Sequence, residues 1–105
     1  MKRIMYIEHK EQDGLDGPGR IGWVELSRSR RAYLYGGRRL RKVVGFKHNC
    51  VDAETGEMFW VSGPKKNGED KLYGGAVEID EDAREEYWKR VRGLPRRVAD
   101  RSYRS

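Results

Sequence analysis

Closely spaced turn-forming residues constrain the fold of this 105-residue chain more than any other feature of its sequence. Gly36-Gly37 is a two-residue turn that can adopt the positive φ angles of a tight β-hairpin. Residues 52–56, Asp-Ala-Glu-Thr-Gly, form a second turn from side chains that hydrogen-bond their own backbone and a final glycine. The segments that flank such turns are typical of strands, which we predict at residues 3–8, 22–26, 31–35, 38–44, 46–51, 57–61 and 76–79.

One helix is predicted after these strands. Asp80 or Asp82 caps its start, Asp82 and Glu85 have the spacing of a capping box, and Gly93 followed by Pro95 ends it. Short strands joined by tight turns, followed by a single helix, predict a mostly β (α+β) fold. We expect either a curled antiparallel sheet or a small barrel of the SH3-like or OB-like kind.

The predicted domain organisation is simple. At this length the chain forms one domain with a small core, which we assign to residues 1–93 with the helix at their end. Residues 94–105 contain four arginines and little apolar surface to bury. They are therefore predicted to be a basic, mobile tail outside the domain.

Charge is distributed in blocks along the chain. Residues 28–51 contain eight basic residues and no acidic residue, whereas residues 52–87 contain eleven acidic and four basic residues. A cationic block interleaved with aromatic residues is typical of proteins that bind a phosphate backbone and stack on bases. Alternatively, the acidic segment can fold over the basic block and neutralise its charge within the protein.

The hairpin at Gly36-Gly37 predicts which of these cations lie on the same face of the sheet. Cross-strand partners project from the same side of a hairpin, so one face mixes basic and tyrosine side chains, and the other contains Arg39 and Arg41. A loop at residues 63–75 adds two further lysines. The predicted nucleic-acid-binding residues are Arg31, Tyr33, Tyr35, Arg38, Arg39, Arg41, Lys42, Lys65 and Lys66. Neither face is cleanly apolar, so the tyrosines can instead belong to the core, and the lysine loop can be a solvated tip.

His48, Cys50 and Asp52 alternate along a predicted strand, so their side chains share one side. A cysteine and a histidine can form a nucleophile with its base, or half of a metal site. The sequence has no second cysteine and its other histidine is the distant His9, so a closed four-ligand zinc site is not expected. His48 and Cys50 are the catalytic candidates, and we expect no metal and no cofactor.

The single cysteine also excludes an intramolecular disulfide and fits a reducing compartment, which predicts a cytoplasmic protein. No segment of the sequence is long and apolar enough to cross a bilayer, so no membrane partner is expected. Residues 17–22 match the pattern G-x-G-x-x-G, but they lead into a predicted strand rather than a helix. We therefore interpret them as a connector and not as a dinucleotide site.

Several segments resemble a group of small bacterial proteins of unassigned function. These segments are residues 54–57 (Glu-Thr-Gly-Glu), 60–66 and 77–88, and with residues 17–22 the likeness extends over most of residues 2–92. Some members of that group are labelled deoxyxylulose phosphate synthase. A thiamine-diphosphate enzyme needs large paired domains and a metal-diphosphate motif, neither of which this sequence contains. The resemblance therefore implies a bacterial domain and transfers no catalytic residue.

Charge and hairpin geometry together predict a small basic protein that binds nucleic acid. RNA or a single strand is expected rather than duplex DNA, because no recognition helix with a basic face is evident. The first alternative is a protein-interaction module, such as an inhibitor or accessory subunit, that binds an acidic protein partner. The second alternative is a small nuclease or other enzyme that uses His48 and its neighbours.

Overall fold

The computed structural model describes residues 1–10 and 17–105 of the chain. The strands within these residues are β1 Lys2–His9, β2 Gly19–Leu26, β3 Ala32–Tyr35, β4 Arg38–Lys42, β5 Cys50–Asp52, β6 Met58–Ser62, β7 Ala76–Ile79 and β8 Ser102–Arg104. A helical segment at residues 81–91 joins a 3₁₀ turn at Glu81–Ala83, an α-helical turn at Arg84–Glu86 and a π-helical turn at Tyr87–Val91. A separate 3₁₀ turn lies at Pro95–Arg97. Within the described residues, none of the helices combines the length and apolar character needed to cross a membrane.

Six of the strands form a closed barrel. β1 pairs antiparallel with β2 along one edge and with β6 along the other. Because β2 to β6 pair consecutively, these two pairings close the barrel. The predicted mostly β fold with one short helix near the C-terminus is confirmed, and the small barrel is the correct one of the two predicted architectures. Outside the barrel, β7 pairs in parallel with the start of β2, and β8 pairs antiparallel with β7.

The apolar side chains divide into two cores because β1 is buried on both faces. Met5 and Ile7 point into the barrel, whereas Tyr6 between them points outward. The interior core consists of Met5, Ile7, Val24, Leu40, Cys50, Phe59 and Val61. The outer core, which the helical segment and β7–β8 cover, consists of Tyr6, Ile21, Val77, Ile79, Ala83, Tyr87, Trp88 and Tyr103.

Both predicted turns are confirmed. Gly36 and Gly37 have φ angles of 55° and 79°, and the register pairs Tyr35 with Arg38 as the two-residue turn requires. In the second turn, the Asp52 carboxylate accepts hydrogen bonds from the backbone N–H groups of Glu54 at 2.8 Å and Thr55 at 3.1 Å. The strand predicted at residues 46–51 is wrong in extent, since β5 begins only at Cys50 and residues 43–49 form a loop.

The predicted helix lies where the sequence indicated, but its first turn lacks a side-chain cap. The residue before the first helical turn is Asp80, one of the two predicted caps, but its side chain makes no capping hydrogen bond. Its carboxylate instead accepts from Arg20 at 2.8 Å and from the hydroxyl of Tyr35 at 2.5 Å. The capping-box pattern therefore gave the location of the helix and missed the long-range contact that fixes its first turn to the barrel.

Residues 94–105 are part of the domain, which corrects the predicted boundary at residue 93. Tyr103 of β8 is buried and its ring stacks on Tyr87 at a centroid distance of 5.3 Å. The Tyr103 hydroxyl donates to Asp70 at 2.6 Å, and the Trp88 indole N–H donates to the backbone oxygen of Asp100 at 2.9 Å. The arginines suggested a tail, but one buried tyrosine and the β7 edge are sufficient to fold the segment onto the outer core.

We expect Tyr103→Ala to lower the free energy of unfolding by about 3–5 kcal/mol, because it removes a large buried aromatic side chain. Urea denaturation of the full chain measures this loss. Arg104→Ala is the matched control, since Arg104 lies next along β8 with an exposed side chain and should change stability little. Equal stability of the Tyr103→Ala variant and the parent would show that β8 does not contribute to the folded domain.

Candidate nucleic-acid interface

The basic residues collect at one end of the barrel. The β2–β3 turn at residues 27–31 and the β4–β5 loop at residues 43–49 lie at the same end, because alternate strands run in opposite directions. The backbone N–H of Lys42 donates to the carbonyl of Arg31 at 2.8 Å and joins the bases of the two loops. We call this surface the basic end, and its cations are Arg28, Arg30, Arg31, Arg41, Lys42 and Lys47.

The turn at residues 27–31 holds one of these cations in an unusual conformation. Arg30 has a φ of 63°, in the left-handed region that favours glycine. Its backbone N–H donates to Ser27 at 2.9 Å, and the Ser27 hydroxyl accepts from the backbone N–H of Ala32 at 3.1 Å. A left-handed conformation costs an ordinary residue about 1–2 kcal/mol. The arginine at the tip of this turn therefore adopts a conformation that lowers the stability of the fold.

Neutralisation of the basic block by the acidic segment is nearly absent. Of the eight cations in residues 28–51, Arg38 alone forms ion pairs among the described residues. Its guanidinium contacts Asp52 at 2.6 Å and Glu57 at 3.0 Å. The other seven cations have no carboxylate partner in this part of the chain, so their field is directed to solvent.

A fully exposed aromatic ring lies among these cations. Phe46 is 97 % exposed, and Val44 on the same loop is also fully exposed. The loop itself is held in place, because the backbone N–H of Val43 donates to Asn49 at 2.9 Å. The Asn49 side chain donates to the carbonyl of Val61 and accepts from its N–H, each at 2.8 Å. Phe46 is thus presented next to Lys47 from a fixed base.

Phe46 is one of the aromatic residues interleaved with the basic block, but only the tyrosines of the Gly36-Gly37 hairpin were predicted as site residues. Phe46 lies outside that hairpin, in a segment that was predicted to be a strand. A side chain in a strand has an equal chance of facing the core, and nothing in the local sequence distinguishes the two faces. The signal that was present is the pair Val44 and Phe46 on either side of Gly45 with Lys47 following, which is an apolar and basic mixture beside a glycine.

The two predicted stacking tyrosines pack against the interior core, which is the alternative that the sequence left open. The ring of Tyr33 has the ammonium of Lys42 at 4.6 Å from its centroid. The hydroxyl of Tyr35 donates to Asp80, and burial raises the pKa of Tyr35 well above its usual value. Both rings therefore contribute to packing within the fold.

The other predicted binding residues lie on the outer face of β4, at the basic end and on the loop that contains Lys65 and Lys66. Arg39 and Arg41 are exposed on the outer face of β4, and Arg31 is exposed at the basic end. Lys65 and Lys66 lie on a loop that packs elsewhere, since the backbone N–H of Lys65 donates to Asp70, which also binds Tyr103 of β8. The structure therefore does not bring this lysine pair into the basic end.

The opposite end of the barrel is also polar, but its charges are paired. We call it the polar end; the ends of its strands supply His9, Arg20, Tyr35, Arg38, Asp52 and Glu57. The imidazole Nε2 of His9 lies 2.7 Å from Glu57 Oε2, and Glu57 Oε1 accepts from Arg38. The N–H of Glu54 and the Arg38 guanidinium hold the pKa of Asp52 below its usual value, and Arg38 has the same effect on the pKa of Glu57. This network ties four strands together.

The cysteine of the predicted catalytic pair is not in the environment of a nucleophile, and His48 lies on the loop before β5 rather than on the strand. Cys50 is fully buried in the interior core, and this burial raises the pKa of its thiol to about 11. The thiol is therefore protonated near neutral pH and closed to solvent, whereas a reactive cysteine needs the opposite environment. In residues 1–10 and 17–105, no three His, Cys, Asp or Glu side chains have an arrangement that could hold a metal ion.

No family model, curated protein or solved structure matches this chain. The functional argument therefore depends on the geometry of the two barrel ends.

We expect Arg38→Met to flatten the acid dependence of stability. The pKa values of Asp52 and Glu57 are lowered in the folded state, so the stabilisation is present above their unfolded pKa values, near pH 4, and is lost as the pH falls through the folded values. Urea denaturation at neutral pH and near pH 3 measures this dependence. Arg41→Met removes an exposed, unpaired cation from the same strand and should keep the dependence of the parent. Identical pH profiles for the two variants would contradict the assigned network.

Proposed function

We propose that this protein binds single-stranded nucleic acid, RNA above all, through the basic end. Its cations contact phosphates, and Phe46 provides a surface on which an unpaired base stacks. The proposal keeps Arg31, Arg41 and Lys42 from the predicted set. It replaces the tyrosines with Phe46 as the stacking residue.

The exposure of Phe46 is the observation that carries the proposal. A lone exposed apolar residue needs no explanation, but Phe46 stands beside Val44 on an anchored loop and within a set of cations that the fold leaves unpaired. Phosphate binding needs free cations, and sequence-tolerant stacking needs an accessible ring. Both requirements are met at one end of the barrel, while the other end uses its charges internally.

The same geometry favours single strands over duplex DNA. A side chain on a loop tip reaches bases that are already unstacked, whereas reading a duplex needs a helix or a two-stranded ribbon in the major groove. The helical segment is unsuited to that role because Tyr87 and Trp88 face the outer core, and Lys89 pairs with Glu85 at 2.7 Å.

A second candidate function, the protein-interaction module, is favoured by a different surface. Leu72 and Tyr73 are 80 % and 81 % exposed on the loop before β7. Two adjacent exposed apolar residues are typical of a protein contact rather than of a phosphate contact. This surface does not use the basic block, so the two candidate functions can be separated by variants.

The salt dependence of binding tests the phosphate contacts. We expect the triple variant Arg31→Gln, Lys42→Gln, Lys47→Gln to bind a single-stranded RNA less tightly than the parent. A plot of log affinity against log salt should flatten by about 2 if all three residues contact phosphates, at about 0.7 per contact. The matched control, Arg96→Gln, Arg101→Gln, Arg104→Gln, removes the same charge from exposed arginines of the C-terminal segment and should keep the parent slope. Equal slopes for the two triple variants would place the protein-interaction module first.

Phe46→Ala tests the stacking contact separately. We expect it to weaken RNA binding by about 1–3 kcal/mol with no change in the salt slope, because stacking involves no counterion release. Tyr73→Ala is the matched control, since it removes another exposed ring. Fluorescence anisotropy with a labelled oligonucleotide measures both variants, and an equal loss in both, or no loss in either, would contradict the role of Phe46.

A further inference from the structure

A cleft of about 580 Å³ lies on the outer surface of the barrel, between the β3–β4 turn and residues 80–82. It lies apart from the tips of the basic end, and its lining residues are not among those that the proposed function uses. The lining residues that matter for its chemistry are Lys2, Trp23, Glu25, Leu34, Arg39 and Asp82.

The register of the sheet orders these residues in one row. Lys2 pairs with Glu25, Glu25 with Leu34, and Leu34 with Arg39, so four strands contribute one side chain each. Neighbouring strands are about 4.8 Å apart, which puts the backbones of Glu25 and Arg39 about 10 Å apart. The row thus presents the Lys2 ammonium beside the Glu25 carboxylate, and the Arg39 guanidinium separated from that carboxylate by one apolar side chain.

Trp23 adds a fixed aromatic surface beside this row. It precedes Glu25 by two residues on β2, so both side chains project from the outer face. The indole N–H donates to the backbone oxygen of Asp82 at 2.9 Å, which holds the ring against the start of the helical segment. The ring is only partly buried, so one part of it remains in the cleft wall.

Glu25 and Arg39, two of the three charged groups of the row, are available to a ligand. The Glu25 side chain is 47 % exposed, and its ion pair among the described residues is with the N-terminal ammonium at the long distance of 3.9 Å. Arg39 is exposed and has no ion pair in this part of the chain. Neither group is held by the fold in the way that Arg38 is held by Asp52.

We propose that this cleft binds one guanine nucleotide of the nucleic acid. The base stacks on Trp23, its N1–H and N2–H groups donate to the Glu25 carboxylate, and its phosphate contacts Arg39. Guanine has two adjacent N–H donors on its Watson–Crick edge. Uracil has one donor between two acceptors, and adenine and cytosine each have an acceptor beside their amino group, so a carboxylate discriminates against all three.

The charge distribution favours this ligand over simpler ones. A cationic side chain would be attracted by Glu25 and Asp82 but repelled by Arg39 and Lys2. A free anion would be attracted by Arg39 and Lys2 but repelled by Glu25 and Asp82. A guanine nucleotide has donors at one end and an anion at the other, which matches the order from Glu25 to Arg39.

The inference rests on the proposed function and extends it along β4. Arg41 follows Arg39 by two residues on the same outer face, so their backbones are about 7 Å apart. A nucleic-acid strand bound at the basic end can therefore continue over Arg41 and Arg39 to the cleft. The structure thus connects a sequence-tolerant surface to a site that selects one base.

The test compares three RNA heptamers of uridine whose central nucleotide is guanosine, adenosine or uridine. We expect the parent protein to bind the guanosine heptamer at least about fivefold more tightly than the other two, as one bidentate base contact allows. Glu25→Gln should reduce this ratio to near one and leave the affinity for the uridine heptamer unchanged. Glu54→Gln, which removes an equal charge from an exposed turn, should keep the ratio.

A direct titration separates this inference from the proposed function. We expect GMP to quench tryptophan fluorescence more strongly than AMP, and this difference to disappear in Trp23→Phe. Binding of all three heptamers with equal affinity, or a guanosine preference that persists in Glu25→Gln, would overturn the cleft assignment while nucleic-acid binding stands. Failure to bind any heptamer, with GMP still bound in a Glu25-dependent way, would instead overturn the proposed function and retain the cleft.

Discussion

The double pairing of β1 is the constraint on which the rest of the structure depends. β1 forms one ladder with β2 and another with β6, so it closes the barrel and has no free edge. Its side chains alternate between two apolar environments, with Ile7 inside and Tyr6 outside. A slip of one residue would exchange these environments, and the large Tyr6 ring would then have to fit the interior core. The strand therefore fixes both its own register and the division of the apolar residues into two cores.

Closure also explains why the two barrel ends have different chemistry. Antiparallel strands return each turn to one of two ends, so the order of the turns along the chain decides which charges meet. The turn that contains Asp52 lies beside Arg38 at the polar end, where carboxylates and arginines pair. The turns that contain Arg30 and Lys47 lie at the basic end, far along the strands from those carboxylates. The acidic segment is thus adjacent to the basic block in sequence but mostly not in space.

Local sequence predicted the features that depend on local chemistry. The glycine turn at Gly36-Gly37, the aspartate turn at Asp52 and the stop at Gly93 each need particular residues at particular positions, and these gave the hairpins, the helix location and the small barrel. The features that were missed depend on contacts between distant segments. Tyr103 is buried because β7 and the helical segment lie beneath it, and Asp80 binds Arg20 across sixty residues of chain. No pattern within a short window contains such partners, so the packing of residues 94–105 was missed and the place of Tyr33 and Tyr35 was left open.

Phe46 is a residue whose side chain matters to the proposed function but not to the packing of the fold. Its ring makes no contribution to either core, whereas Asn49 three residues later anchors the same loop to Val61. The loop therefore combines a residue that the fold requires with one that it does not. Selection for stability alone would favour a polar side chain at Phe46, because an exposed ring gains nothing from folding and promotes association. The proposed function accounts for a phenylalanine at this position, between cations that the barrel leaves unpaired, because a nucleic acid would cover the ring and neutralise the charges together.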